Sequence, residues 1–405
     1  MKLKIFDFLQ SICLAYMIAW GISPPLQIGD IFRTLLELCF IVWSVLAIKK
    51  CGRALLDFYI KLFAFLFLII GIAWMADGFQ TGVIANLQML IFFCYLPVFF
   101  YYHQTKESPV WVFALILILV AVFNTTTLWA YTENRNISRM MSKSFDGMEV
   151  YLRRGVGGYG YIYSIVLSLP LLFGITVRHF KSLNIVFKIL TLYALVTSVF
   201  TIYRAGYAIA MIISVVSIAV LLIYRKRTQT FIPLMIIIVV ALVVVINLED
   251  ILWAVVPLVK GTKYEVKVND IISSLMLNES VGTVGGRTER YIRSISLFFK
   301  SPIWGQLSRA DVGKHSAILD RFAQFGFLLG GIFLYFVSYA QRVMNKDTFD
   351  KGIAVSILIA SLMLFSLNNI GYSMGVMLFV LYPVLVNFVK KNEEQIIGGS
   401  AEVRI

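Results

Sequence analysis

Apolar residues run along this chain in blocks of about twenty, separated by short polar or charged stretches, and twelve such blocks stand out. They lie near 6–22, 31–48, 55–75, 82–102, 109–130, 158–177, 186–203, 205–224, 230–248, 319–339, 352–368 and 371–389. A helix needs about 20 apolar residues to cross roughly 30 Å of hydrocarbon, so each block predicts a membrane-spanning helix. Barrel strands require alternation of apolar and polar positions, and these runs are continuous, which excludes a transmembrane barrel. The expected fold is therefore all-α and polytopic, with about twelve spans in one transmembrane domain over residues 1–405.

Composition agrees with the pattern. Hydrophobic residues make up 60% of the chain and charged residues 14%, too little polar surface to cover a soluble globule. Lys2 and Lys4 precede the first run in the manner of a signal peptide, but no small-residue cleavage site precedes the Ser-Pro-Pro turn at 23–25. The run reads as an uncleaved first span. Gly326 and Gly330, like Gly371 and Gly375, have the small-xxx-small spacing of close helix packing.

Charge then sets an expected orientation. With both termini in the cytoplasm, eighteen of the 36 Lys and Arg residues fall inside, while the opposing short loops 23–30, 76–81 and 369–370 carry none. That is the positive-inside asymmetry. Two long segments, 131–157 and 249–318, fall outside, and each carries two more bases than acids. An anionic partner explains positive charge where topology does not require it. Nucleic acid fits poorly, because half the bases serve orientation and no RNA- or DNA-binding motif occurs. Phosphate on a lipid is the better match.

The second outer segment holds the most pointed pattern, GGRTERYIRSISLFFK at 285–300. On a helix, Arg287, Arg290 and Arg293 share an arc of roughly 120°. An amphipathic interfacial helix accounts for much of this, with Ile292, Ile295, Leu297, Phe298 and Phe299 in lipid and the arginines on anionic headgroups. The sharper expectation is a site for an anion such as a lipid phosphate. His315, the one histidine of three expected outside, precedes the tenth span. With an ordinary pKa of about 6.5, it is the outer side chain suited to accept a proton. Asp320 would orient its ring, although five residues is an awkward helical spacing. Arg204 sits between two apolar runs, either snorkelling to the boundary or pairing with a buried anion. Tyr159, Tyr161 and Trp304 are candidates for stacking on sugar faces.

Cys13, Cys39 and Cys94 lie in spans and Cys51 in an inner loop, so no outward disulfide is expected. No zinc-type Cys/His spacing and no Asp-x-Asp pair occurs, so the expected site has no metal.

Taken in order, Arg-Ala-Gly at 204–206 opening a span, Gly-Gly-Arg-Thr-Glu-Arg ending a long outer loop, Lys-Ser-Pro-Ile-Trp-Gly at 300–305 and His-Ser before a Gly-rich span resemble the O-antigen polymerase and O-antigen ligase superfamily. The matching part covers roughly residues 195–340. The resemblance implies a metal-independent inverting glycosyltransferase of the bacterial cytoplasmic membrane, working on the outer face without a cofactor. Its donor would be a glycan on undecaprenyl diphosphate, and its partners would be that lipid-linked oligosaccharide, membrane lipids and a chain-length regulator, with no nucleic acid. By the family pattern Arg204 and Arg287 would hold the diphosphate and His315 would serve the acceptor. Arg290 accompanies Arg287, with Arg293, Asp320, Tyr159 and Trp304 in support, and which arginine grips the anion stays open. A ligase using the same donor and a flippase for the lipid-linked repeat unit are the competing functions.

Overall fold

The structure is a computed structural model. It describes residues 2–77, 84–107, 109–134, 137–143, 145–224, 248–261, 265, 268–269, 272–273, 282–308, 312–347 and 350–402. Every regular element among the described residues is helical. The chain is an all-α, multi-pass membrane protein: eight described helices are long and apolar enough to cross a bilayer, and two shorter apolar helices, Ala208–Ile223 and Lys351–Leu367, join them.

The long helices are α1 (Lys2–Ile22), α2 (Asp30–Cys51), α3 (Arg53–Ala76), α6 (Val110–Glu133), α9 (Tyr159–Arg178), α10 (Ile185–Ala205), α14 (Ala317–Val337) and α17 (Tyr372–Glu394). The shorter pair are α11 (Ala208–Ile223) and α16 (Lys351–Leu367), the latter preceded by the short α15 (Tyr339–Asp347). The expected span at 82–102 is two helices, α4 (Ile84–Cys94) and α5 (Leu96–Thr105), interrupted at Tyr95, where Pro97 occupies the first turn of the second. Proline lacks an N–H and tolerates the first turn of a helix better than its interior. The expected span at 230–248 lies almost wholly outside the described residues.

At the centre stand α9 and α17, with 78% and 89% of their spanning windows buried. Large side chains on the periphery face outward, among them Ile31, Val45, Phe67, Val215 and Phe327. Such a surface suits hydrocarbon rather than water. Gly375 of α17 meets the Phe92 carbonyl and the Tyr95 ring closely, as small-residue packing requires.

The two ends of the bundle are chemically distinct. At one end Lys50 pairs with Asp7 (3.1 Å), Arg178 with Asp350 (2.8 Å) and His179 with Glu393 (2.7 Å). The other end gathers the starts of α9, α11 and α14 with the C-terminal end of α16, and here lie His315 and Arg290. The two outer segments expected from the sequence contain further helices, α7 (Ile137–Lys143) and α8 (Phe145–Arg153) in the first, α12 (Leu248–Val259) and α13 (Gly282–Lys300) in the second.

Candidate active site

Helix α13 carries the arginine pattern and packs beside α14. Arg290 and Arg293 are exposed, as are Ile292, Ile295 and Phe299, while Ser294 is buried. A helix that is apolar and basic on its exposed side and anchored on the other is suited to the membrane surface. Arg293 pairs with Glu289 at 3.2 Å. The side chain of Arg287 lies outside the described residues. Tyr291 anchors the helix by donating to the Leu367 carbonyl at the end of α16 (2.7 Å).

Arg290 reaches the loop before α14, and its Nη1 lies 2.8 Å from His315 Nε2. The loop is fixed from three directions. Ser294 Oγ donates to Asp320 Oδ1 (2.6 Å) and accepts the Gly313 N–H (2.9 Å). Asp320 Oδ2 accepts the Ser316 N–H (3.1 Å). Asn369 Nδ2 donates to the Lys314 carbonyl (2.7 Å), holding Lys314 at φ 61°. A left-handed backbone at a residue other than glycine costs on the order of 1–3 kcal/mol and persists only when its surroundings impose it. Gly313 passes so close to α13 that a Cβ would overlap the Arg290 carbonyl.

Asp320 therefore has a different place from the one expected. Ser316 is the N-cap of α14, its Oγ accepting the Leu319 N–H (2.9 Å), so His315 precedes the helix and the five-residue spacing is not helical at all. The carboxylate ties the loop to α13 through Ser294 and the Ser316 N–H. Hydrogen bonds to a buried carboxylate offset its desolvation.

Beyond the first turns, α14 is interrupted. Gly326 takes φ 65°, ψ −168°, and residues 301–308 fold onto the gap. Gln306 N donates to Ala323 O (3.0 Å), Leu307 N to Gln324 O (2.7 Å) and Phe327 N to Pro302 O (2.7 Å). Irregular backbone inside a membrane protein needs such internal partners. Gly305 and Gly326 permit the approach, since a Cβ on either would overlap the opposing backbone. Gly326 is thus a break point, beyond the packing role expected for it. Trp304 on this loop is 66% exposed.

The remaining expected residues lie around the same end. Arg204 is exposed in the last turn of α10, which Gly206 caps in the left-handed conformation. Tyr207, next in the chain, stacks on Tyr163 (5.8 Å) and meets Tyr159 (5.6 Å). Tyr159 in turn donates to Asn368 Oδ1, and the Asn368 carbonyl accepts the Ala317 N–H (3.0 Å). These contacts connect the Arg204 corner to the His315 loop. Tyr161 corrects its expectation: it is 3% exposed, with its hydroxyl on Asn124 Oδ1 (2.9 Å), so no sugar reaches its face.

Four residues escaped the sequence reading: Ser294, Arg321, Gln324 and Asn369. Ser294 follows Arg290 by four positions, on the same side of the helix, which was the available signal. Arg321 was hidden beside Asp320, and its Nη1 donates to Gln324 Oε1 (2.8 Å). A cavity of about 50 Å³ opens here, with Ser316, Asp320, Arg321, Gln324 and Asn369 in its wall.

No protein-family model matches the chain, and no curated protein matches it.

Proposed function

We propose that this protein polymerises lipid-linked polysaccharide repeat units. In this reading it transfers a growing glycan from undecaprenyl diphosphate to the sugar of a new lipid-linked unit, for O-antigen, capsule or a related surface polysaccharide. It works in the bacterial cytoplasmic membrane, with both termini inside and the His315 end outside, as a metal-independent inverting glycosyltransferase.

The observation that carries the reading is the Arg290–His315 contact of 2.8 Å. A guanidinium has donors only, so in this contact Nε2 of His315 is the acceptor. A cation suited to a phosphate oxygen and a base suited to a sugar hydroxyl thus stand side by side. The acceptor oxygen attacks C1 of the donor sugar from the face opposite the diphosphate. The C1–O bond breaks with its electron pair passing to the diphosphate, and the hydroxyl proton passes to His315 Nε2. Arg290 leaves the imidazole to meet the charge developing on the leaving oxygens, where fixed cations act most strongly.

The test is a reaction of purified protein with a synthetic diphosphate-linked repeat unit, without nucleotide or added metal. Polymer from the parent and little from His315→Ala support the reading; equal polymer from both, or none from the parent, rejects it. A ligase would give no polymer from this single substrate but would load preformed glycan onto a second acceptor. One observation favours a flippase, the interruption of α14 at Gly326, since transporters place substrate sites at broken helices. Reconstituted vesicles that move the lipid-linked unit inward to outward without joining units would establish that second reading.

A further inference from the structure

Arg321 lies on the spanning helix α14, five residues before its break at Gly326. It stands in the opening turns of that helix, near the membrane boundary, where an ionisable side chain faces water or an interior cavity rather than lipid. Arg321 does face one. The cavity beneath the His315 loop, about 50 Å³, is bordered by Gln88, Ser316, Asp320, Arg321, Gln324 and Asn369. A water needs at least about 10–15 Å³ by this measure, so the space takes a few waters or roughly one tetrahedral phosphoryl group.

The donors of Ser316, Gln324 and Asn369 are spent on Phe365, Leu307 and Lys314, so Arg321 is the charged donor in this wall. Gln324 presents its oxygen to Arg321 Nη1 (2.8 Å) and commits its amide nitrogen to the Leu307 carbonyl (3.2 Å), which fixes the guanidinium plane. The Phe325 and Phe333 rings lie 5.8 and 5.9 Å from the Arg321 guanidinium carbon and limit its movement. Asp320, in the same wall, has its two oxygens on Ser294 and the Ser316 amide. The start of α14 adds its positive dipole end to the same space.

We infer that this cavity is a phosphoryl subsite in which Arg321, oriented by Gln324, grips an oxygen of a phosphate or diphosphate beneath the loop that carries His315. Neither the sequence pattern nor the resemblance pointed to Arg321 for this task. The inference rests on the polymerase reading only for the source of the phosphoryl group, a lipid-linked donor.

The test uses full-length protein in nanodiscs of zwitterionic lipid and reads the thermal unfolding midpoint. The probes are inorganic pyrophosphate and undecaprenyl diphosphate, with sulfate at matched ionic strength as control. Both phosphoryl probes, or the lipid alone, raise the parent midpoint by several degrees more than sulfate does. Stabilisation by the lipid alone identifies a headgroup site, and stabilisation by both identifies the phosphoryl group itself as the ligand. Arg321→Gln abolishes the effect, Arg321→Lys keeps part of it, and the apparent affinity falls at least about tenfold in Gln324→Glu, whose carboxylate occupies the guanidinium. Because Gln324→Glu preserves shape and supplies Arg321 with a partner, it decides the matter if Arg321→Gln does not fold. Undiminished stabilisation in Gln324→Glu, or none in the parent, overturns the subsite. Polymer from the parent with no Arg321-dependent stabilisation by either phosphoryl probe removes the subsite alone. Arg321-dependent pyrophosphate binding without any polymer removes the polymerase reading and leaves the subsite standing.

Discussion

Nη1 of Arg290 lies 2.8 Å from Nε2 of His315, a cation donating to the atom that a catalytic base would use. Since arginine stays charged and carries only donors, the contact requires an unprotonated Nε2 and places the ring proton on Nδ1. The guanidinium thereby covers the atom that a catalytic base would use. A diphosphate is a stronger acceptor for the guanidinium and would draw it from Nε2.

Arg290→Ala is accordingly expected to lower kcat more than it raises KM. Removing one fixed donor to a developing oxyanion costs roughly 10²–10³ in rate. Steady-state kinetics with the lipid-linked repeat unit would measure the split. A pure rise in KM would assign Arg290 to ground-state binding alone.

Ser294 predicts a stability effect with a functional echo. Ser294→Ala leaves the buried Asp320 carboxylate and the Gly313 N–H each short of a partner. Unsatisfied buried groups cost about 1–3 kcal/mol each, more for charged ones. The unfolding midpoint of the purified protein should fall, and activity should fall with it because the loop carrying His315 loosens. Ser294→Thr, which keeps the hydroxyl, should recover a large part of both.

Much of this arrangement was visible in the chain, and what was not has physical reasons. Run length and hydropathy report how much chain lies in hydrocarbon, so α1, α2, α3, α6, α9 and α10 appear close to their expected bounds. The same signal is blind to a break whose compensation lies elsewhere. Gly326 ends helical geometry only because residues 301–308 supply its hydrogen bonds. The Tyr95 interruption has a local sign in Pro97, but proline is common in spans, where it often only kinks the helix. At the site, Arg290 and His315 were both singled out by residue type, while their contact depended on where α14 starts. The cap at Ser316 puts His315 outside the helix, and that single boundary changes the role of Asp320.

Gly326→Ala tests the break directly. The substitution imposes φ 65° on an alanine and drives its Cβ into the Ile303 carbonyl, a backbone atom with no freedom to withdraw. A loss of about 3 kcal/mol is expected, in the range of strained backbone positions and overpacked sites. Gly331→Ala, where a Cβ meets nothing within 4 Å, is the matched control and should be neutral or slightly stabilising. Thermal unfolding of the two variants, compared with the parent, gives the difference.

The opposite end of the bundle predicts a pH dependence. His179 Nδ1 lies 2.7 Å from Glu393 Oε1 and its Nε2 lies 3.0 Å from Asp350 Oδ2, so both ring nitrogens face carboxylates. Burial disfavours the charged imidazole, but the hydrogen bonds to Asp350 and Glu393 outweigh it and raise the His179 pKa above its usual 6.5. For Asp350, burial acts upward, and the His179 hydrogen bond with the Arg178 charge carries the pKa below its usual 3.8. The two shifts have opposite consequences under linkage. The His179 contribution is complete below its ordinary pKa and is lost as pH rises through the raised value. The Asp350 contribution is complete above its ordinary pKa and is lost as pH falls through the lowered value. Clamping of α9, α16 and α17 should therefore be strongest between roughly pH 4 and 6.5, where both groups are charged. Unfolding midpoints of the parent should decline on the alkaline side of this window, whereas His179→Gln, which cannot become charged, should be less stable within it and flat across the alkaline limb. Parallel profiles for the two proteins would mean that the charge on His179 contributes nothing to holding these helix ends together.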